Sequence, residues 1–181
     1  MKKVLFWQTK FNFLDFFTSS QLGSKLLVIL NYLIWLFLFF IFYLLIHHDY
    51  AIFWTILLVI VLSEIFEKLL KKNFFWPRPI SKSKTQLPKG LVNAWYQGGS
   101  FPSGHSLKST LFFLLVLQYG VFSPVVYLLI ILPLLFFRIL ISFHYPIDIL
   151  GGIFFGYLIW LFTRHFFPPD FLLSFGQNLF S

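Results

Sequence analysis

Arg138, His144 and Asp148 share the short stretch Arg138-Ile139-Leu140-Ile141-Ser142-Phe143-His144-Tyr145-Pro146-Ile147-Asp148. Pro146 suits the first turn of a helix, which puts Asp148 in that turn and His144 just before it. A carboxylate so placed can reach back to one imidazole nitrogen, fix the tautomer and leave the other nitrogen free as a nucleophile. The pair also fits a plainer role, an interfacial histidine beside a carboxylate at a helix N-terminus. That role gives no reason for Arg138, one or two turns earlier.

Two further segments carry residues of matching chemistry. In Phe101-Pro102-Ser103-Gly104-His105-Ser106 a serine follows a proline and precedes a glycine and an apolar run, which reads as a helix start with Ser103 as N-cap. The free N–H groups and positive dipole end of such a helix receive phosphate readily, and Gly104 lets a ligand come close to the backbone beside His105. Alone, the segment reads more readily as an ordinary cap followed by an incidental histidine. In Lys71-Lys72-Asn73-Phe74-Phe75-Trp76-Pro77-Arg78-Pro79 two prolines hold Arg78 in an extended segment, while Lys71 ends a helix. Lys71 and Arg78 together can clamp phosphate oxygens from two directions.

The elements that must position these residues follow from hydropathy. The chain of 181 residues is 59% hydrophobic and 23% aromatic, more apolar surface than one soluble core of this size hides. Only 11% of residues are charged, yet the net charge is +8, which points to an anionic partner; in a membrane the anions are lipid phosphates. With no cysteine, disulfides, thiolate metal sites and cysteine nucleophiles are excluded. Apolar runs of transmembrane length or nearly so occupy about 24–46, 51–70, 103–121, 124–142 and 146–166. The expected fold is an all-α integral membrane protein, a helical bundle of about five transmembrane helices. Residues 1–22 mix Phe6, Trp7, Phe11, Phe13 and Phe16 with Lys10, Asn12 and Asp15, as in an amphipathic helix lying in the interface. No signal cleavage site follows them, and they are expected to be retained. The domain expectation is thus an interfacial segment over 1–22, a transmembrane domain over 23–166 with a functional loop at about 72–101, and a tail over 167–181.

Alternation of five spans places the end of the second, the start of the third, the end of the fourth and the start of the fifth at one membrane face. Lys71, Arg78, Ser103, Gly104, His105, Arg138, His144 and Asp148 all fall there, whereas the opposite turns, 47–50 and 120–124, carry no Lys or Arg. Ionisable residues at the edge of a span are costly and mark function.

Taken in order, Lys71, six residues and then Arg78-Pro79; Pro102-Ser103-Gly104-His105; and Arg138, five residues, His144, three residues and Asp148 resemble the three-part signature of the type 2 phosphatidic acid phosphatase superfamily. One departure is Phe137, where that family usually has serine before the arginine. The apolar spans argue against the superfamily's soluble haloperoxidase branch.

The resemblance implies that His144 is a nucleophile forming a phosphohistidine, that Asp148 orients it, and that His105 protonates the leaving oxygen and then activates water. It implies a phosphate cradle of Lys71, Arg78, Arg138, Ser103 and the Gly104 N–H, with no metal and no cofactor. The expected activity is metal-independent lipid phosphatase action on a monoester or diphosphate headgroup. Lipid A 1-phosphate ranks first by overall similarity to the bacterial lipid A 1-phosphatases, followed by phosphatidylglycerophosphate and undecaprenyl diphosphate. A phosphotransferase on the same fold and a non-enzymatic lipid-binding protein are the alternatives. The implied partners are the membrane and a phospholipid or lipid A-type substrate, with no nucleic acid and no obligate protein partner. The implied place is the bacterial inner membrane with the site at its extracytoplasmic face, although the basic N-terminus and loop argue for the cytoplasmic face by the positive-inside rule.

Outside the motifs, Lys72, Lys82, Lys84, Lys89 and Lys108 could meet a second phosphate, most of them reading as solvated loop charges. Glu67 and Lys71 read as a plain i,i+4 ion pair. His47, His48 and Asp49 lie at the opposite face without a fourth metal ligand and read as a polar turn.

Overall fold

Each of the five apolar runs forms a helix. The computed structural model describes residues 2–7, 21–73, 76–79 and 99–166. A single turn, α1 (Lys2–Leu5), precedes α2 (Gln21–His48), α3 (Ile52–Asn73), α4 (Gly104–Tyr119), α5 (Pro124–Leu140) and α6 (Pro146–Thr163), and no strand occurs among the described residues. Most of the expected interfacial segment and of the 72–101 loop, including Lys82, Lys84 and Lys89, lies outside the described residues, as does the tail from 167 onward.

The helix ends follow from local chemistry. Asp49 Oδ1 accepts the Ala51 N–H at 2.8 Å and caps the start of α3. Ser103 and Ser123 cap α4 and α5, with Pro124 in the first turn of the latter. Gly120, at φ 65°, closes α4 in the left-handed conformation, its N–H bonded to the Val116 carbonyl.

Ile34, Leu38, Ile41 and Leu45 run down one face of α2 and pack on Ile56 of α3, Phe112 and Val116 of α4, and Ile131 and Leu135 of α5. The opposite faces are apolar too: Leu36, Phe39 and Tyr43 on α2, and Leu129, Leu132 and Phe136 on α5, are exposed. Helices apolar all round yet only half buried have hydrocarbon as their natural surroundings. Residues Lys25–His48 and Pro146–Thr163 are long and apolar enough to cross a membrane, and α5 is a shorter apolar helix. α3 carries Glu64, Glu67, Lys68, Lys71 and Lys72 in its final turns, and α4 has 16 residues with His105 and Lys108 at its start. The charges that depart from span composition therefore collect at one end of the bundle.

Where lipid surrounds helices, association rests on close packing rather than on the hydrophobic effect. α4 and α6 show the closest approach. A Cβ added to Gly152 would lie 2.6 Å from the Ser103 carbonyl oxygen, and one added to Gly156 would lie 2.7 Å from that of Leu107. The Gly152-xxx-Gly156 spacing is thus what lets two backbones touch.

Candidate active site

At the end of the bundle where α3 and α5 finish and α4 and α6 begin, a cavity of about 230 Å³ is lined by Lys71, Arg78, Gly104, His105, Arg138 and His144 together with Asn31, Tyr32, Trp35, Glu64, Glu67 and Lys108. Six of the eight residues expected from sequence thus line one cavity. Ser103 and Asp148, the other two, are fully buried and do not line the cavity.

The spacing of Arg138 and His144 has a backbone cause. α5 ends in a Schellman motif: Ser142, at φ 60°, takes the left-handed position, its N–H bonds to the Ile139 carbonyl at 3.0 Å, and the Phe143 N–H bonds to the Arg138 carbonyl at 3.0 Å. The His144 N–H reaches the same carbonyl at 3.3 Å. The chain folds back on the last turn of the helix, so two side chains six positions apart face one space.

His144 is then followed by the start of α6, where Asp148 serves two neighbours. Its Oδ2 accepts the Tyr145 N–H at 2.7 Å and stands 3.5 Å from His144 Nδ1. One oxygen thus serves the helix start and faces the imidazole, while His144 Nδ1 makes no hydrogen bond among the described residues. The starts of α4 and α6 are tied together: the Ser103 N–H donates to the Asp148 carbonyl at 3.0 Å, and Ser106 Oγ donates to the Ile149 carbonyl at 2.8 Å. The Ser103 hydroxyl accepts the Ser106 N–H at 3.4 Å as the cap of α4.

Arg78, buried, donates from Nη1 to the Phe143 carbonyl at 3.2 Å, and the same nitrogen lies 3.4 Å from His144 Nε2. Its segment is pinned by the Ser100 N–H, which donates to the Trp76 carbonyl at 2.8 Å. Phe6 stacks on Trp76 at 5.1 Å and meets Tyr145 edge-on at 5.5 Å, bringing the N-terminal residues to the rim of the site. Arg138 donates from Nη1 to Asn31 Oδ1 at 2.6 Å, and its guanidinium lies 5.6 Å from the centre of the Phe143 ring.

These surroundings determine the protonation of His144. Complete burial, and after it the positive charge of Arg78 and Arg138, hold its imidazole well below the ordinary range. These surroundings favour the neutral ring, with Nδ1 toward Asp148 and Nε2 toward Arg78 and the cavity. His144 Nε2 thus faces a cavity lined by cations, the setting in which a neutral imidazole nitrogen can act on an anion.

Sequence reasoning did not single out Asn31 or Trp35 for the site. Asn31 carried a readable signal: it is the one carboxamide in the apolar run between Lys25 and His47. Trp35 packs its ring 5.0 Å from that of His105, and Lys108 Nζ lies 5.7 Å from the Trp35 ring centre. The expected Glu67–Lys71 pair forms at 2.5 Å, but Glu67 also takes Lys108 at 2.9 Å, and Lys108 takes Glu64 at 2.7 Å. Lys108 is a buried, doubly paired cation and not one of the solvated loop charges. His47 and His48 lie exposed at the far end of α2, and no group of three or more His, Asp or Glu suited to a metal ion occurs among the described residues.

Comparison with curated proteins and with solved structures gives no match. Comparison with protein families matches residues 52–171 to the PAP2 superfamily, a stretch that covers well over half of the chain and every motif residue of the cavity. The chain belongs to the PAP2 superfamily, and its activity is of that superfamily's general kind, the hydrolysis of phosphoric esters by a phosphatase.

Proposed function

We propose that this protein is an integral membrane lipid phosphatase of five transmembrane helices, α2 to α6, that works without a metal ion through a phosphohistidine on His144. The observation that carries the reading is the meeting of Lys71, Arg78 and Arg138, from three separate elements, around the neutral imidazole of His144.

In this mechanism the phosphate group of the lipid enters among Lys71, Arg78 and Arg138, with the Gly104 N–H as a further donor. His144 Nε2 attacks phosphorus; the N–P bond forms as the bond to the lipid oxygen breaks, and His105 gives that oxygen its proton. Asp148, beside Nδ1, stabilises the positive charge that develops on the ring. Water then attacks the phosphohistidine, His105 takes the proton, the N–P bond breaks and inorganic phosphate leaves. Ser103 supports the cradle from behind as the cap of α4.

Lipid A 1-phosphate is the first candidate substrate, with phosphatidylglycerophosphate and undecaprenyl diphosphate next. The proposed place is the bacterial inner membrane, with the cavity at its extracytoplasmic face, residues 1–22 lying in the interface and 23–166 forming the catalytic domain. The apolar outer faces of α2 and α5 support the membrane setting.

The test is phosphate release by the detergent-purified protein, in EDTA, from these three lipids, beside His144→Ala. Release that survives chelation, with acid-labile phosphate on the protein and neither in the variant, is expected. Full activity of His144→Ala would refute the assignment of the nucleophile. Phosphate passed to a second lipid instead of to water would make the protein a phosphotransferase.

A further inference from the structure

Four cations and two carboxylates line the cavity: Lys71, Arg78, Lys108 and Arg138 against Glu64 and Glu67. The lining therefore carries a net of two positive charges, the match of a phosphate dianion. The two carboxylates are not scattered. They form a chain with the lysines, Lys71 to Glu67 to Lys108 to Glu64, through ion pairs of 2.5, 2.9 and 2.7 Å.

Glu67 occupies a built position. Its carboxylate lies over the Cα of Gly104, close enough that a Cβ there would collide with both oxygens and with Cδ. The glycine that opens α4 therefore admits this carboxylate, in addition to any room it gives a ligand. Lys108, the second partner of Glu67, is 5% exposed and enclosed by Trp35 on its other side. An i,i+4 pair formed for helix stability alone would not require a glycine on another helix or a buried lysine.

We propose that Glu67, with Glu64 behind it, is the counter-anion that sets the phosphate affinity of the site. It fixes Lys71 at the edge of the cavity, keeps Lys108 turned away from the phosphate position, and limits the positive charge so that the product dianion is released. Without it the lining would carry three positive charges and two loosened lysines, a site that binds phosphate more tightly and turns over more slowly. The inference rests on the phosphatase reading for the identity of the anion, but not for its test.

The test is calorimetric titration of inorganic phosphate into the full-length, detergent-solubilised protein at low ionic strength. Glu67→Gln is expected to tighten phosphate binding about tenfold, the effect of one charge on a dianion at roughly 6 Å under water-like screening, and added salt should reduce the gain. Glu67→Asp, which keeps the charge, should bind phosphate like the wild type. A Glu67→Gln protein with an unchanged melting temperature and unchanged or weaker phosphate binding would overturn the proposal, as would a Glu67→Asp protein that binds as tightly as Glu67→Gln. If Glu67→Gln does not fold, Glu64→Gln carries the test with the same sign and a smaller gain, and no gain there overturns it too. Lipid hydrolysis is scored separately: a wild type that binds phosphate but cleaves no lipid refutes the phosphatase reading and leaves the charge proposal to its own titration.

Discussion

Arg138 depends on Asn31, and replacing Asn31 with leucine isolates that dependence. The bond is short, 2.6 Å, it joins a guanidinium to a side-chain carbonyl, and each residue is 5% exposed. Arg138 Nε has no hydrogen-bond partner among the described residues, so the Asn31 contact is a principal restraint on the direction of the guanidinium. Leucine keeps the branched shape of the side chain, at somewhat greater volume, and removes the acceptor. A buried hydrogen bond to a charged group contributes about 1.5–3 kcal/mol, so if Arg138 must hold the transition-state phosphoryl group, kcat/KM should fall by roughly 10- to 150-fold. The assay is initial-rate phosphate release in detergent micelles for wild type, Asn31→Leu, Arg138→Met and the double variant. The double variant should be no slower than Arg138→Met, because the two residues act as a unit. Activity of Asn31→Leu within twofold of wild type, or losses that simply multiply, would show that Arg138 is aimed by something other than this contact.

Because burial and the two arginines hold His144 well below the ordinary imidazole range, its neutral form persists as pH falls. The acid limb of kcat/KM should therefore lie below the usual histidine value of about 6.5, and a limb at or above that value would contradict the neutral-nucleophile geometry. Arg78→Lys should lose at least about tenfold in kcat/KM, since an ammonium lacks the planar, multi-donor fork of which Nη1 by itself already meets the Phe143 carbonyl and His144 Nε2. Gly152→Ala should lower stability in detergent by about 1–3 kcal/mol, because the added methyl meets backbone atoms of α4 that cannot step aside. Ser142→Gly should raise stability by about 1 kcal/mol by relieving a left-handed serine, with His144 left in place and activity kept.

The helices were legible because their signals are local and strong: each apolar run expected to span became a helix whose ends lie within about three residues of those expected, and Ser103 and Pro146 marked the starts of α4 and α6. The meeting of Lys71, Arg78, His105, Arg138 and His144 was legible because alternation of spans leaves few arrangements. What was not legible is contact across helices. Nothing near Glu67 in the chain tells of Gly104 or Lys108, which lie 37 and 41 positions away. The small residues Gly152 and Gly156 went unremarked because a glycine in an apolar run carries no chemistry of its own, and its importance appears only once the partner backbone is beside it. The Schellman end of α5 was hidden by a serine where glycine is the usual sign.

The interlock of α4 with α6 divides the work of the site between a fixed part and an adjustable one. His105 sits at the head of one of these helices and His144 at the threshold of the other, and backbones in contact at Gly152 and Gly156 cannot slide without breaking many contacts at once. His105 and His144 therefore behave as a single jaw whose geometry is set when the chain folds. Lys71 belongs to α3 and reaches the cavity through a long side chain held by Glu67. Any adaptation to ligands of different bulk thus falls to the lysine side, while the distance between the two histidines stays the same.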